Sequence, residues 1–436
     1  MAKATTKRHV IIGASAAGLA ALEAIRSLDA QCEITLLSKE RPPLYSRVGL
    51  THFLDGTVKV AGMTTHASDY FERMSARLLA GVAAVHVDPK TRTVKLSNRR
   101  SLGYDSLLVA SGSSAVIPPI KGVRLRGVYP CITRNDAVAI DRALSHARRV
   151  VVVGAGLIGI QVADAMIKRK KKVAVVEQMP HVMPAMVDPP AARLFEDLVR
   201  EKGHTVHTGM RAVEILSKAG HVVGVRLESG EVLPCEVCVM AVGVRPNLEF
   251  LEGTRIQRKQ GVLVDACQRT SLRHIYAAGD VAETTDMFSG QRVTIAIWPE
   301  ALNQGRVAGL NMAGEPTTYE GSMAMNTTSV LGLPIASLGL WQVTDTADYQ
   351  IHSELNEAKR EYRKLVFKDG RLVGTILVGS SMNVEAGILH NFIRTRQSFT
   401  VTPTQLLAGP VPWGRVLRDN RLAGAVTHAA VAEVGV

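Results

Sequence analysis

Aromatic residues are scarce in this 436-residue sequence, at 4%. Single-stranded nucleic acid is gripped by aromatic faces interleaved with basic side chains, so the formal net charge of +13 does not here indicate a nucleic-acid partner. Cysteine is scarcer still. Cys32, Cys131, Cys235, Cys238 and Cys267 are five in number, few and odd, which fits reduced thiols in a reducing compartment rather than a disulfide framework. No grouping of them has the spacing of a zinc or iron–sulfur site, so any metal centre serving this chain resides in another chain. No apolar run approaches the roughly 18 to 20 residues that cross a bilayer. The start, MAKATTKRHVIIGASAAG, is basic then apolar like a signal peptide, but it already holds the glycine spacing of a nucleotide-binding turn and reads as mature structure. The expected location is the cytoplasm, away from membranes.

Two features stand against these absences. Cys235 and Cys238 have the spacing of a redox pair, but VLPCEVCVMAVG is a strand pattern, in which residues three apart point to opposite faces, so the structural reading is preferred. The densest basic run, Lys168 to Lys172, falls where a helix should end, and cations there complement the macrodipole, so it reads as a solvated helix terminus. The rest of the charge leaves docking to an acidic protein, a common arrangement for electron transfer.

With 46% hydrophobic residues, 37 glycines and 18 prolines, the chain reads as a soluble α/β enzyme, and its length suggests two or three domains. KRHVIIG is a strand, GASAAG a tight turn, LAALEAIRSL a helix and CEITLLS a second strand. The same order returns at RRVVVVGAGLIGIQVADAMIKRKKKVAVVE. Further helices are expected in NDAVAIDRALSHARR, in PPAARLFEDLVREKG closed by Gly203, and in WPEALNQGRVAGLNMAG between Pro299 and Gly314. Strands are expected at LLVASG, VCVMAVGVRPN and HIYAAGD. From Thr317 the pattern changes to strands such as YRKLVFKDGRLVGTILVG, whose DG predicts a hairpin.

Each glycine turn lies between a strand and a helix, the context that makes it a dinucleotide fingerprint. In the second unit Gly154 allows the sharp turn, Gly156 lets the backbone approach a pyrophosphate, and Gly159 permits close helix packing. Glu177 ends the next strand, where a carboxylate bonds both ribose hydroxyls and repels a 2′-phosphate, favouring NAD(H) over NADP(H). In the first unit the turn runs from Gly13 to Gly18 with Ser15 at the middle glycine position, and Ser38 stands at the strand end, with Glu40 the nearest carboxylate. Two such sites suggest one resident and one exchanging cofactor.

These residues resemble the two-dinucleotide flavoprotein family that includes glutathione reductase, NADH oxidase and coenzyme A disulfide reductase. The motifs are GASAAG, Val109 to Gly112, GAGLIG with Glu177, Ala241 to Asn247, and Ala277 to Asp280, in this order along nearly the whole chain. The resemblance implies an α/β fold with two Rossmann-like domains, an FAD-binding domain of residues 1–115 and 247–316 and an NAD-binding domain of residues 116–246. An α+β interface domain, 317–436, would follow. It implies that Gly13, Ser15, Ala16 and Gly18 hold the FAD pyrophosphate, with Glu40 and Arg47 near the adenosine and pyrophosphate part. Ala84, Ala110, Ser111 and Gly112 would line the site, and Asp280 would hold the ribityl or phosphate end. The helix starting at Trp298 and Pro299 would aim its positive end at the flavin O2 edge. Gly154, Gly156, Leu157, Gly159 and Glu177 would hold NADH, with Ile158 and Gly243 near the nicotinamide; Gln161 stands where many relatives carry glutamate.

The sequence departs from the family in LYSRVGLTHFLDG. Relatives that reduce disulfides or coenzyme A disulfide carry cysteine immediately before Gly-Leu, and here Val48 occupies that place. Valine is no nucleophile and forms no thiolate, so no catalytic side chain is assigned beyond the flavin itself. The chain resembles the thiol-free branch and, within it, flavin subunits of multi-subunit oxidoreductases such as phenylglyoxylate dehydrogenase and tungsten-dependent aldehyde oxidoreductase. That implies NAD(H) on one side of the flavin and an acidic iron–sulfur protein on the other, with a tungsten or thiamine enzyme in the same complex. The alternatives are a free-standing ferredoxin or rubredoxin reductase or NADH oxidase, and, in another class, an NADH-sensing flavoprotein that regulates a partner. Whether residues 317–436 form a homodimer or a heteromeric contact stays open.

Overall fold

A computed structural model describes residues 6–343, 347–380, 382–399, 402–407, 411 and 413–418. Its helices are, in chain order, α1 (Ala16–Leu28), α2 (Gly49–Leu54), α3 (Tyr70–Arg73), α4 (Arg134–Leu144), α5 (Leu157–Lys168), α6 (Pro189–Glu201), α7 (Trp298–Ala313), α8 (Met382–Thr395) and α9 (Pro403–Leu407). One compact unit takes the described residues up to Pro180 together with Gly203–Ser322; the other takes His181–Lys202 and the described residues from Met323 onward.

The first unit contains two parallel five-stranded sheets. One runs Ile275–Ala277, Ser106–Val109, Arg8–Ile12, Glu33–Ser38, Ala76–Ala80; the other runs Thr205–His207, Lys172–Val176, Arg149–Val153, Val237–Met240, Val128–Pro130. RHVII and RVVVV are each buried from their second residue onward, as strands of a sheet covered on both faces must be. Each is the central strand of its sheet and runs directly into a glycine turn, which therefore sits at the carboxyl end where the strand order reverses. That is where open α/β sheets bind ligands.

Close helix packing supports the first turn. A Cβ on Gly305 would lie 2.2 Å from the Ala17 carbonyl oxygen, and one on Gly309 would lie 2.6 Å from that of Ala21. Both glycines lie on α7 and both carbonyls on α1, so the two backbones touch and no larger residue fits.

His9, on the central strand, is buried with Nδ1 3.1 Å from Ser106 Oγ. Burial, aided by Lys7, pushes its pKa down to about 4 from 6.5. The unfolded chain therefore binds the extra proton first as pH falls. The stability held above pH ~6.5 drains as pH drops toward ~4. Between pH 7.5 and 5 the wild type should lose about 2 kcal/mol more than His9→Gln. Urea unfolding at the two pH values checks this, and equal losses would refute it.

One expectation is extended and one needs correction. The basic run is tied down as well as solvated: Lys171 Nζ donates to the Leu144 and Ala147 carbonyls, both at 2.8 Å, closing the C-terminal end of α4. Lys168 pairs with Asp164 at 3.0 Å and Asp55 at 3.4 Å, and Arg169 pairs with Asp141 at 3.0 Å. The two cysteines do not point to opposite faces, because VLPCEVCVM is two strands, Val232–Pro234 and Val237–Met240. The break lies at Cys235–Glu236, where the Glu236 carboxylate accepts from the backbone N–H groups of Arg148 and Arg149 at 3.0 and 2.8 Å. Both cysteines therefore enter one apolar cluster, which keeps them structural.

The second unit is an antiparallel sheet in the order Met325–Val330, Leu333–Gly339, Arg371–Val378, Glu361–Lys368, Gln350–Asn356, with α8 packed on it. Asp369 and Gly370, at φ +50 and +70, make the two-residue hairpin turn that DG predicts. Asp188, the N-cap of α6, accepts from Tyr362 Oη at 2.7 Å and Lys364 Nζ at 3.1 Å. The fold is thus α/β, with two Rossmann-like sheets followed by a C-terminal α+β domain. Among the described residues no helix is long and apolar enough to cross a membrane.

Candidate functional site

The first glycine turn joins three chain segments. Gly13, at φ +122, faces the Ala110 carbonyl so closely that a Cβ would lie 2.0 Å from its oxygen. Gly18 faces the Gly13 carbonyl in the same way. Ser15 is the extended N-cap of α1 and makes no side-chain cap, so from Ala16 onward the helix turns its amides and positive end toward what lies beyond the turn. Ala110, Ser111 and Gly112 follow the neighbouring strand, and Gly112 has open space where a side chain would stand.

Asn247 pins this stretch. Its Nδ2 donates to the Ser111 carbonyl at 2.9 Å, its Oδ1 accepts from Ser114 Oγ at 2.6 Å, and its carbonyl accepts from Ser111 Oγ at 3.0 Å. The Asp280 carboxylate accepts from Ser113 Oγ at 2.6 Å, which joins the third segment. Trp298 opens α7, half-buried against the cluster that also holds Ala16 and Ala110, and Pro299 follows as an exposed first-turn residue.

Glu40 and Arg47 come together as a pair of their own. Arg47 Nη2 lies 3.4 Å from Glu40 Oε1, while Tyr45 Oη donates to Glu40 Oε2 at 2.6 Å and accepts from the Arg134 amide at 2.9 Å. Burial and the Glu40 carboxylate push the Tyr45 hydroxyl up to about 12. Ala84 lies in an antiparallel sheet of Ala84–Asp88, Thr93–Leu96 and Ser101–Gly103, not in the turn.

The second turn separates structural glycines from one that the protein itself does not require. A Cβ on Gly154 would lie 2.4 Å from the Ala241 carbonyl oxygen, and one on Gly159 would lie 1.9 Å from that of Gly154. Gly156 has an ordinary φ of −64 and nothing within 4 Å of a Cβ. That leaves the backbone bare to approach from outside, and a pyrophosphate would fit such a surface. The buried Glu177 carboxylate accepts from the amides of Ala155 at 2.6 Å and Met179 at 2.9 Å. Each oxygen has a further lone pair for a donor such as a ribose hydroxyl. Leu157 and Ile158 form the first turn of α5, with Ile158 exposed, and exposed Gly243 at φ +113 receives the Val116 amide on its carbonyl at 3.0 Å. The donor and glycine chemistry of both turns therefore fits dinucleotides.

Val48 stands 59% exposed at the N-cap of α2. Cys32, Cys131, Cys235 and Cys238 are buried, and burial raises each thiol pKa, to about 12 for Cys131 and Cys235. The sequence marks Asn247 only as the end of a motif and gives Ser113, Gly305 and Gly309 no role. The spacing of Gly305 and Gly309 was a readable signal of close helix approach, whereas the partners of Ser113 and Asn247 lie 167 and 133 residues away in sequence.

Residues 7–305 match the pyridine nucleotide-disulphide oxidoreductase family, and residues 325–391 match the rubredoxin NAD+ reductase C-terminal domain. The chain is 31% identical over 418 residues to the epsilon subunit of NADH-dependent phenylglyoxylate dehydrogenase from Aromatoleum evansii, a match covering 95% of this chain and 97% of that one. A NAD-dependent persulfide reductase from A. fulgidus superposes with a TM-score of 0.82 at 29% identity, covering 90% of this chain and 77% of that one. A ferredoxin reductase from Rhodopseudomonas palustris does so at 0.79 and 26%, covering 86% and 91%. The chain belongs to the pyridine nucleotide-disulphide oxidoreductase family, whose members bind FAD and use NAD(H), and is an FAD-dependent NAD(P)H oxidoreductase.

Proposed function

We propose that this chain is the flavin subunit of a larger oxidoreductase, moving electrons between NAD(H) and an acidic iron–sulfur partner. The complex would oxidise an aldehyde or a 2-oxoacid, with a tungsten or thiamine enzyme as its substrate-oxidising member. Val48 carries the reading: with valine in place of the thiol, electrons leave by another carrier. End-to-end similarity to a dehydrogenase subunit supports it, as does the net charge of +13, which suits an acidic partner. We place the complex in the cytoplasm, with residues 1–115 and 247–316 on FAD, 116–246 on NAD(H), and 317–436 at a homodimeric or heteromeric interface.

FAD, when bound, supplies a centre that exchanges a hydride with nicotinamide and single electrons with a cluster. The protein's own contribution is binding and electrostatics. Gly13, Ser15, Ala16 and Gly18 would receive the FAD pyrophosphate on the amides of α1, and Gly154, Gly156, Leu157 and Gly159 would do the same for NADH on α5. Asp280 would hold the ribityl end, Glu40 and Arg47 would flank the adenosine part, and α7 would turn its positive end to the flavin. Ile158 and Gly243 would lie near the nicotinamide.

Glu177 should set nucleotide choice. Glu177→Ala is expected to raise KM for NADH by roughly tenfold or more with kcat nearly unchanged, and to narrow the preference over NADPH by about tenfold. Steady-state kinetics with both nucleotides measure this, and an unchanged preference would remove the carboxylate from the ribose.

The test of the whole reading is an anaerobic pull-down of the tagged native protein with mass spectrometry and metal analysis. Recovery of an iron–sulfur protein with a tungsten or thiamine enzyme is expected. A lone flavoprotein would instead favour a free-standing ferredoxin or rubredoxin reductase, which the match of residues 325–391 supports.

A further inference from the structure

A buried polar chain in the first unit has no part in the electron route described above. Glu300, in the first turn of α7, is 5% exposed, and Thr284, Gln304 and Ser322 are 2%, 1% and 0% exposed. Tyr319 Oη donates to Glu300 Oε2. Tyr319 has one hydroxyl proton, so in its second contact, at 3.0 Å, Ser322 is the donor. Ser322 then accepts from Thr284 Oγ1 at 2.6 Å and from Gln304 Nε2 at 3.3 Å. Gln304 Oε1 takes the Gly279 amide at 2.9 Å, one residue before Asp280. Every donor along this path points toward Glu300.

Glu300 Oε2 is the acceptor at the end of this path, a role that suits the ionised form of a carboxyl. The first turn of a helix favours the same form, because its amides and the positive end of the macrodipole meet an anion there. A charge so buried is screened by water and salt far less than an exposed one. It therefore acts on whatever faces the start of α7.

We propose that Glu300 is a potential-setting residue, whose buried carboxylate offsets the positive end of α7 and holds the flavin harder to reduce than the helix would by itself. The inference rests on the reading that α7 begins against the flavin. Reduced flavin carries the additional negative charge, so removing a nearby anion favours reduction. Tyr319, Ser322, Thr284 and Gln304 are positioning residues that keep the carboxylate ionised and in place.

The experiment is an anaerobic redox titration of the flavin-loaded protein against a reference dye of known potential, read by absorbance. At the dye's midpoint Glu300→Gln should show about a tenfold higher ratio of reduced to oxidised flavin than wild type. Glu300→Asp, which keeps the charge, should stay within about twofold. An unmoved ratio in Glu300→Gln overturns the proposal, as does an equal shift in both variants, which would mark a packing effect. Should Glu300→Gln fail to fold, Tyr319→Phe decides. Loss of one donor makes the carboxyl easier to protonate, so the flavin ratio should rise more steeply than in wild type as pH falls, and an identical pH profile overturns the proposal. A wild-type protein that holds no flavin would instead defeat the underlying reading, an outcome distinct from all of these.

Discussion

Supplied with NADH, the purified flavoprotein should reduce a one-electron acceptor such as ferricyanide at least about a hundredfold faster than it reduces glutathione disulfide or coenzyme A disulfide. Disulfide reduction needs a thiolate in the chain that receives the electron pair and attacks sulfur. Val48 occupies the expected place, and the buried thiols of Cys32, Cys131, Cys235 and Cys238 all have raised pKa values. Cys267, half-buried, lies in a turn where its backbone amide bonds the Asp265 carboxylate at 2.8 Å, far in sequence from both glycine turns. Treatment with N-ethylmaleimide should accordingly leave the ferricyanide rate unchanged. Comparable rates with disulfides, or inactivation by the thiol reagent, would show that one of the five cysteines is redox-active. If the physiological acceptor is acidic, its reduction should also slow as ionic strength rises, while ferricyanide serves as the small-molecule reference.

The parts of this site that were legible in the sequence are those written in local grammar. A strand, a glycine turn and a helix occupy Arg8 to Leu28 and again Arg149 to Lys168, and each choice within them agrees with the others, so RHVIIGASAAG and RVVVVGAGLIG announce their own geometry. Gly314, at φ +103, and Gly203, at φ +81, ended their helices where the sequence placed the stops. What the sequence concealed depends on distant partners. Nothing near Asn247 signals that it pins Ser111 and Ser114, and nothing near Tyr319 signals Glu300. Two features depart from or go beyond that local grammar for one reason. The pattern through Cys235 to Cys238 reads as one continuous strand, yet two strands part at Cys235–Glu236, where the Glu236 carboxylate takes the amides of Arg148 and Arg149. The basic run does end its helix largely in solvent, but the carbonyls of Leu144 and Ala147 also take Lys171. In each case a tertiary hydrogen bond overrode or added to a local pattern.

Two substitutions three residues apart should separate the scaffold from the site. Gly159→Ala places a Cβ 1.9 Å from the Gly154 carbonyl oxygen, a backbone atom that cannot rotate aside. Relieving that clash means moving α5 away from its strand. Such overpacking against backbone is expected to cost several kcal/mol, about 3 or more. The variant should lose thermal stability and NADH binding together. Gly156→Ala meets open space at an ordinary φ of −64, so its fold should stay within about 0.5 kcal/mol of wild type. Its methyl group would nonetheless stand where the proposed site receives the pyrophosphate. NADH affinity should therefore fall by roughly tenfold or more, through steric exclusion and loss of the amide contacts made at close range. Thermal unfolding with and without NADH reads both effects. Wild type should gain stability on adding the nucleotide, and Gly156→Ala should match it without NADH but gain little. If Gly156→Ala instead binds NADH as tightly as wild type, the open space beside that glycine is not where the nucleotide's phosphates lie. If Gly159→Ala unfolds no earlier than wild type, the close contact between α5 and its turn does not hold the second nucleotide unit together.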